Sequence, residues 1–169
     1  MTSLHALDPF CGWLEHTPLS QTLQNTEWII PAVQTVHILA VAAVMSSVLM
    51  IDLRLLGLKG RDQAIRAVTG RFLPYVWWPL PILLATGALL IVAEPARALE
   101  NPVFIIKMTL LLLAAGLTLA CQIPLRRDAT YWDNSPARRV AARLIAFVSL
   151  PVWIAIVFAG RWIAYVQGT

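Results

Sequence analysis

Four long apolar runs dominate the chain: 28–50, 72–93, 103–125 and 140–160. The first holds 23 residues without a charge, and about 20 apolar residues suffice to cross about 30 Å of hydrocarbon. The pattern predicts four membrane-spanning helices, since only helices and closed barrels satisfy every backbone polar group in lipid. Short polar connections favour an all-α, up-down integral membrane four-helix bundle. The segment before the first run divides off as a separate unit, 1–27, ahead of a transmembrane domain at 28–169. Within it, Pro18 to Thr26 reads as a short amphipathic interfacial helix, with Pro18 suited to a first helical turn.

Composition agrees with the pattern. The chain is 59% hydrophobic and 13% charged, against about 25% charged in ordinary globular domains. Four spans and short loops leave no room for a soluble catalytic domain. Asp8, Glu15 and Glu27 break up the first 27 residues, so no cleavable signal peptide is expected. Cys11 and Cys121 should lie near opposite faces of the membrane, which argues against a disulfide, and no CxxC pair exists. Glycine-rich phosphate loops, HExxH and GxSxG motifs are missing.

The net charge of +4 points to topology, not to nucleic acid. The loop after the first run carries Arg54, Lys59, Arg61, Arg66 and Arg71. The loop after the third, with the start of the fourth, carries Arg126, Arg127, Arg138, Arg139 and Arg143. That places ten of thirteen basic residues on one side, against Arg97, Lys107 and Arg161 on the other. Basic loops stay in the cytoplasm, so both termini are expected in the periplasm of a bacterial inner membrane. Trp28, Trp162 and Tyr165 would mark the outer interface, and Tyr75, Tyr131 and Trp132 the inner one.

Pro74, Pro79 and Pro81 crowd the cytoplasmic half of the second run, and Pro151 interrupts the fourth. Each proline inside a helix frees a carbonyl four residues back. This reads first as packing irregularity, and alternatively as a widened cavity between spans two and four. Small residues at spacing four, Ala42 and Ser46, Ala43 and Ser47, Gly116 and Ala120, Ala155 and Ala159, would allow close helix approach.

Candidate chemistry centres on His37, the only histidine inside an apolar run. At about 1.5 Å per residue it should lie about 13 Å deep, close to mid-bilayer, where ionisable groups face a bundle interior or a cofactor. Gln34 shares its helical face, with Val41 and Met45 continuing the stripe. A polar neighbour one turn away can fix the tautomer that a ligand needs. The plainer alternative is a hydrogen bond from His37 to Gln34 or a facing carbonyl. Haem b usually takes paired axial ligands, so a single haem would need Met45, Met108, an open position or a second copy. Lys107 should snorkel outward and pair with Glu94 or Glu100, or else contact an anion or quinone headgroup. Asp52 and Arg54 should anchor a helix end, pairing with charges such as Arg71 or Arg143. His5, Cys11 and His16, with His37, offer a weak copper-capturing set. Cys121 and Gln122 read as packing or helix-end groups.

Trp28, Pro31, Gln34 and His37, followed by the DLRLLGL stretch from Asp52 to Leu58, resemble an uncharacterised bacterial family of small four-helix inner-membrane proteins. Thr86-Gly87, Asn101 to Phe104 with Lys107, and Gly160-Arg161 through Ala164-Tyr165 extend the resemblance from about Ser20 onward. The family is loosely similar to copper-resistance D type proteins and to four-helix cytochromes b. The resemblance implies relatives with a carboxylate at the place of Gln34 and a histidine at that of Gln122; this chain has neither.

Three functions follow. The first is a non-enzymatic anchor or accessory subunit of a larger membrane complex, such as a redox complex, associating with other membrane subunits or with itself. The second is an electron carrier binding haem b or a quinone at His37. The third is a copper-handling protein or small permease, although the broken spans only partly match the paired interruptions of transporters.

Overall fold

The computed structural model describes residues 8–163 and 165, and these form helices without strands. Nine helices follow in order: α1 (Asp8–Glu15), α2 (Pro18–Asn25), α3 (Ile29–Leu55), α4 (Ile65–Phe72), α5 (Pro74–Trp77), α6 (Pro79–Ala93), α7 (Pro95–Leu99), α8 (Pro102–Arg127) and α9 (Pro136–Trp162). Proline accounts for much of the punctuation. Six of these helices begin on one, because its missing N–H is unpaired in a first turn anyway. Only Pro124 and Pro151 sit in a helix interior.

Four segments are long and apolar enough to cross a membrane: α3, the segment Ile65–Ala93 made of α4 to α6, α8 and α9. Each is longer than its apolar run. The extra length of α3 matters, because its midpoint falls at Ala42 and not near His37. The imidazole therefore sits five positions, about 8 Å, short of the middle of its helix.

Packing runs in the order α6, α3, α9, α8. The inner pair, α3 and α9, supplies most of the buried residues, among them Val44, Val48, Ile51, Ala142, Ala146, Val152 and Ile156. Backbone packing of α6 on α8 is slight at most. At the arginine-rich end a side-chain bond joins α5 to α8, where Trp77 Nε1 donates to Gln122 Oε1 at 3.1 Å. Of the expected small-residue pairs, Ala42/Ser46 and Gly116/Ala120 point outward; Ser47 and Ala159 are buried. The closest helix approach instead uses Ala114, Ala142 and Ala146, all fully buried.

The N-terminal segment holds two helices where one was expected. Thr17 caps α2, accepting from Ser20 N at 3.3 Å. Gln24 Nε2 donates to Ala93 O at 2.7 Å, tying α2 to the end of α6. Helix α1 packs on α7 and buries Cys11. Asn101 caps α8 by accepting from Val103 N, and its amide donates to Ile163 O at 3.3 Å, clamping the start of α8 to the end of α9.

The DLRLLGL stretch is a helix terminator. Gly57 adopts φ +72°, its N–H donates to Arg54 O at 3.0 Å, and Leu58 N–H donates to Leu53 O at 2.9 Å. That pair of bonds is the Schellman motif, whose left-handed position favours glycine. The arginines stitch the following loop: Arg54 bonds Gln63 O through Nε at 2.7 Å, and Arg61 donates to Gly57 O. Neither Arg71 nor Arg143 pairs with Asp52 among the described residues, contrary to expectation. Trp132 also departs from the expected belt; it is buried and donates to Cys121 O at 3.0 Å.

Candidate functional site

His37 projects from α3 toward α6. Its Nδ1 lies 2.7 Å from Thr86 Oγ1. That hydroxyl is also within 2.6 Å of Ile82 O, a carbonyl that can only accept. With the hydroxyl proton on Ile82 O, the imidazole donates from Nδ1 and Nε2 is the unprotonated, ligand-competent nitrogen. Nε2 has no hydrogen-bond partner among the described residues. Gly87, the next residue after Thr86, lets the ring lie close to α6: a Cβ there would stand 3.8 Å from His37 Cε1.

Lys107 reaches the same region from α8. Its ammonium lies against α9, where a Cβ on Gly160 would meet Nζ at 3.6 Å. The expected pairing with Glu94 does not form, because Glu94 binds Arg97 at 2.5 Å. Lys107 makes no ion pair or hydrogen bond among the described residues. The site thus combines a free imidazole nitrogen on a ring lying against α6 with an unpaired ammonium lying against α9.

The other expected ligands are elsewhere. Gln34 is exposed and does not bond His37; the tautomer-fixing partner is Thr86, on a different helix. Met45 lines an apolar groove of about 330 Å³ with Ile38, Val41, Ala42, Ile154, Val157 and Phe158. Met108 is exposed beside Lys107. Cys11 is only 2% exposed. His16 bonds the carbonyl of Gly12 through Nδ1 at 2.6 Å, and His5 lies outside the described residues. No group of three His, Cys, Asp or Glu that could hold a metal occurs among the described residues. Sequence reasoning missed Thr86 as the partner of His37 because a lone threonine in an apolar run carries no spacing signal.

A second polar cluster lies toward the arginine-rich end. Asp52 of α3, 3% exposed, lines a cavity of about 20 Å³ with Thr69, Thr118, Cys121 and Ser149. Its Oδ2 has no hydrogen-bond partner; the other such buried atom among the described residues is Trp153 Nε1, which does not line the cavity.

These features define a four-helix protein of membrane-spanning type with one candidate ligand site near the N-terminal end of its bundle. The chain belongs to the family of unknown function DUF6644, whose profile matches residues 12–166. That match runs through α2, the four long segments and both polar clusters. Comparison with curated proteins and with solved structures gives no match.

Proposed function

We propose that this chain is a small, non-enzymatic membrane subunit that binds the headgroup of a quinone-type redox lipid between α6 and α8. The observation that carries the proposal is the Nδ1 bond of His37 to Thr86, with Nε2 left without a partner and the unpaired Lys107 in the same half of the bundle. A quinol hydroxyl would donate to Nε2, and a quinone oxygen would accept from the Lys107 ammonium. The slight packing of α6 on α8 would give a lipid-borne headgroup sideways access. A haem would bind through the same Nε2, but neither Met45 nor Met108 is brought to His37 as a second axial ligand. The arginine-rich end supports an orientation with both termini and the His37 site on the periplasmic side. The weak burial of α6 and α8 supports contact with lipid or with neighbouring subunits.

The test is a titration of the purified full-length protein with a short-chain ubiquinone or menaquinone analogue, alongside a visible absorption spectrum. Saturable binding by a colourless protein, lost in both His37→Ala and Lys107→Met, is the expected result. A Soret band that disappears in His37→Ala would transfer the site to haem b. Binding indifferent to both substitutions would remove the site altogether.

A further inference from the structure

We propose that Arg61 and Arg143 together hold the phosphate of an anionic phospholipid over the Gly57 turn. The site lies at the opposite end of the bundle from His37 and does not depend on the ligand proposed there.

Two elements far apart in sequence bring these guanidiniums to one place. Arg61 comes from the loop after α3, and Arg143 from the early part of α9. A Cβ placed on Gly57 would stand 3.7 Å from Arg61 Nε and 3.9 Å from Arg143 Nη2. Arg61 is held there because its Nε donates to Gly57 O, and its two terminal nitrogens have no partner among the described residues. The Arg143 guanidinium makes neither a hydrogen bond nor an ion pair among the described residues. Asp62 follows Arg61 in sequence but pairs with neither arginine.

Neighbouring cations have other occupations. Arg54 is tied to Gln63 O through Nε and Nη2. Arg138 lies over the Tyr131 ring at 4.2 Å, and Arg139 donates to Asp133 O at 3.2 Å. Arg61 and Arg143 are thus two converging cations without an acidic partner. Like charges so placed repel. An anion between them removes that repulsion, and the guanidinium fork matches phosphate oxygens two at a time.

The surroundings select a lipid as the source of the phosphate. Val140, Leu144 and Phe147 lie within about one turn of Arg143 along α9, and all three are exposed, Phe147 by 70%. Leu58, directly after Gly57, is 68% exposed. Helix α9 is long and apolar enough to cross a membrane, so this strip faces acyl chains. Cationic groups above an apolar strip match the two parts of a phospholipid, and basic pockets at the ends of membrane helices bind anionic headgroups. A zwitterionic headgroup would bring its own cation into the same basic end.

The experiment is native mass spectrometry of the full-length protein in detergent. Phosphatidylglycerol is titrated against phosphatidylcholine of the same acyl chains, with inorganic phosphate as a competitor. The expected result is saturable binding of phosphatidylglycerol, tighter than that of phosphatidylcholine and indifferent to phosphate. Arg143→Gln should weaken it roughly tenfold or more. Arg143→Lys, which keeps the charge and loses the fork, should fall between. Arg61→Gln should also weaken binding, but Arg61 holds the Gly57 turn, so the Arg143 variants carry the test. Arg139→Gln removes the same charge from the same helix and should leave affinity unchanged. Equal losses in Arg143→Gln and Arg139→Gln would mean a diffuse basic surface and overturn the site. Equal affinity for the two lipids overturns it as well. Displacement by inorganic phosphate would assign the arginine pair to a soluble anion and overturn the lipid reading. His37→Ala should leave phosphatidylglycerol binding intact, so this site and the quinone site fail separately.

Discussion

His37 on α3 and Thr86 on α6 are 2.7 Å apart, and the threonine hydroxyl passes its own proton to Ile82 O. A chain of two hydrogen bonds thus converts an ordinary histidine into one with a defined tautomer. Removing the hydroxyl should free the ring to rotate and to exchange tautomers. Partners of this kind cost 10–100-fold in affinity when lost from metal-bound histidines. Thr86→Val should weaken headgroup binding by roughly tenfold or more, and Thr86→Ser should restore most of it. Binding isotherms of the three proteins decide the matter; equal affinities would show that Thr86 does not position the ring.

Lys107 supplies a different test, because its charge is unpaired in the resting protein. A partly buried ammonium with no counter-ion is a cost to folding, not a gain. Lys107→Met keeps the apolar stem and removes the charge. It should leave the fold as stable as the wild type or slightly more so, while abolishing headgroup binding. Unfolding followed in detergent, together with the binding titration, separates the two effects. A large loss of stability would mean that Lys107 has a structural partner.

The bond from Trp77 to Gln122 crosses the gap between the second and third spans. Gln122 is buried, so breaking the bond strands its carbonyl oxygen. An unsatisfied buried acceptor costs about 1–3 kcal/mol. Trp77→Phe should destabilise the protein by about that amount, and adding Gln122→Leu should recover part of the loss. A double-mutant cycle on unfolding free energies measures the coupling; strictly additive effects would rule it out.

Asp128 ends α8 and organises the loop to α9. Its Oδ1 accepts from Thr130 N at 2.9 Å and from Thr130 Oγ1 at 2.8 Å, and Oδ2 accepts from Asn134. The Thr130 backbone N–H, then its hydroxyl, hold the carboxyl below its ordinary value, with Arg138 and Asn134 assisting. A lowered folded-state value means stability that is present above the unfolded aspartate value of about 4 and fades as pH falls through the folded one. Hydrogen exchange of the loop amides should therefore quicken below about pH 4 in the wild type. In Asp128→Ala it should be fast at every pH. An acid response that survives in the variant would assign the effect to another group.

Much of the frame was legible in order along the chain. Apolar runs gave the four spans, and Pro18 gave the start of α2, while Pro74 and Pro79 read as interruptions of a span and instead begin helices, and the turn at Gly57 went unread. The legible signals are local: run length and a missing N–H. The candidate site was legible only in part. His37 stood out as a lone imidazole among apolar residues, and Lys107 as a lone charge near a span end. Their relation did not, because Gln34, one turn away on the same helix, was the nearer partner in sequence and points elsewhere. Cys11 and Trp132 likewise read as surface residues and are buried, since a small polar segment can fold back on its neighbours.

What the sequence alone determined is an all-helical chain with four membrane-length segments and an uneven distribution of arginine, because hydrophobic run length and charge placement are additive along a chain. Tertiary structure decided which helices touch. The order α6, α3, α9, α8 set Thr86 against His37, left Lys107 without a counter-ion, and buried Asp52 beside a small cavity. Lateral contacts between lipid-soluble helices come from the fit of small residues and a few hydrogen bonds. Those depend on three-dimensional neighbours, and no reading along a single strand of residues contains them.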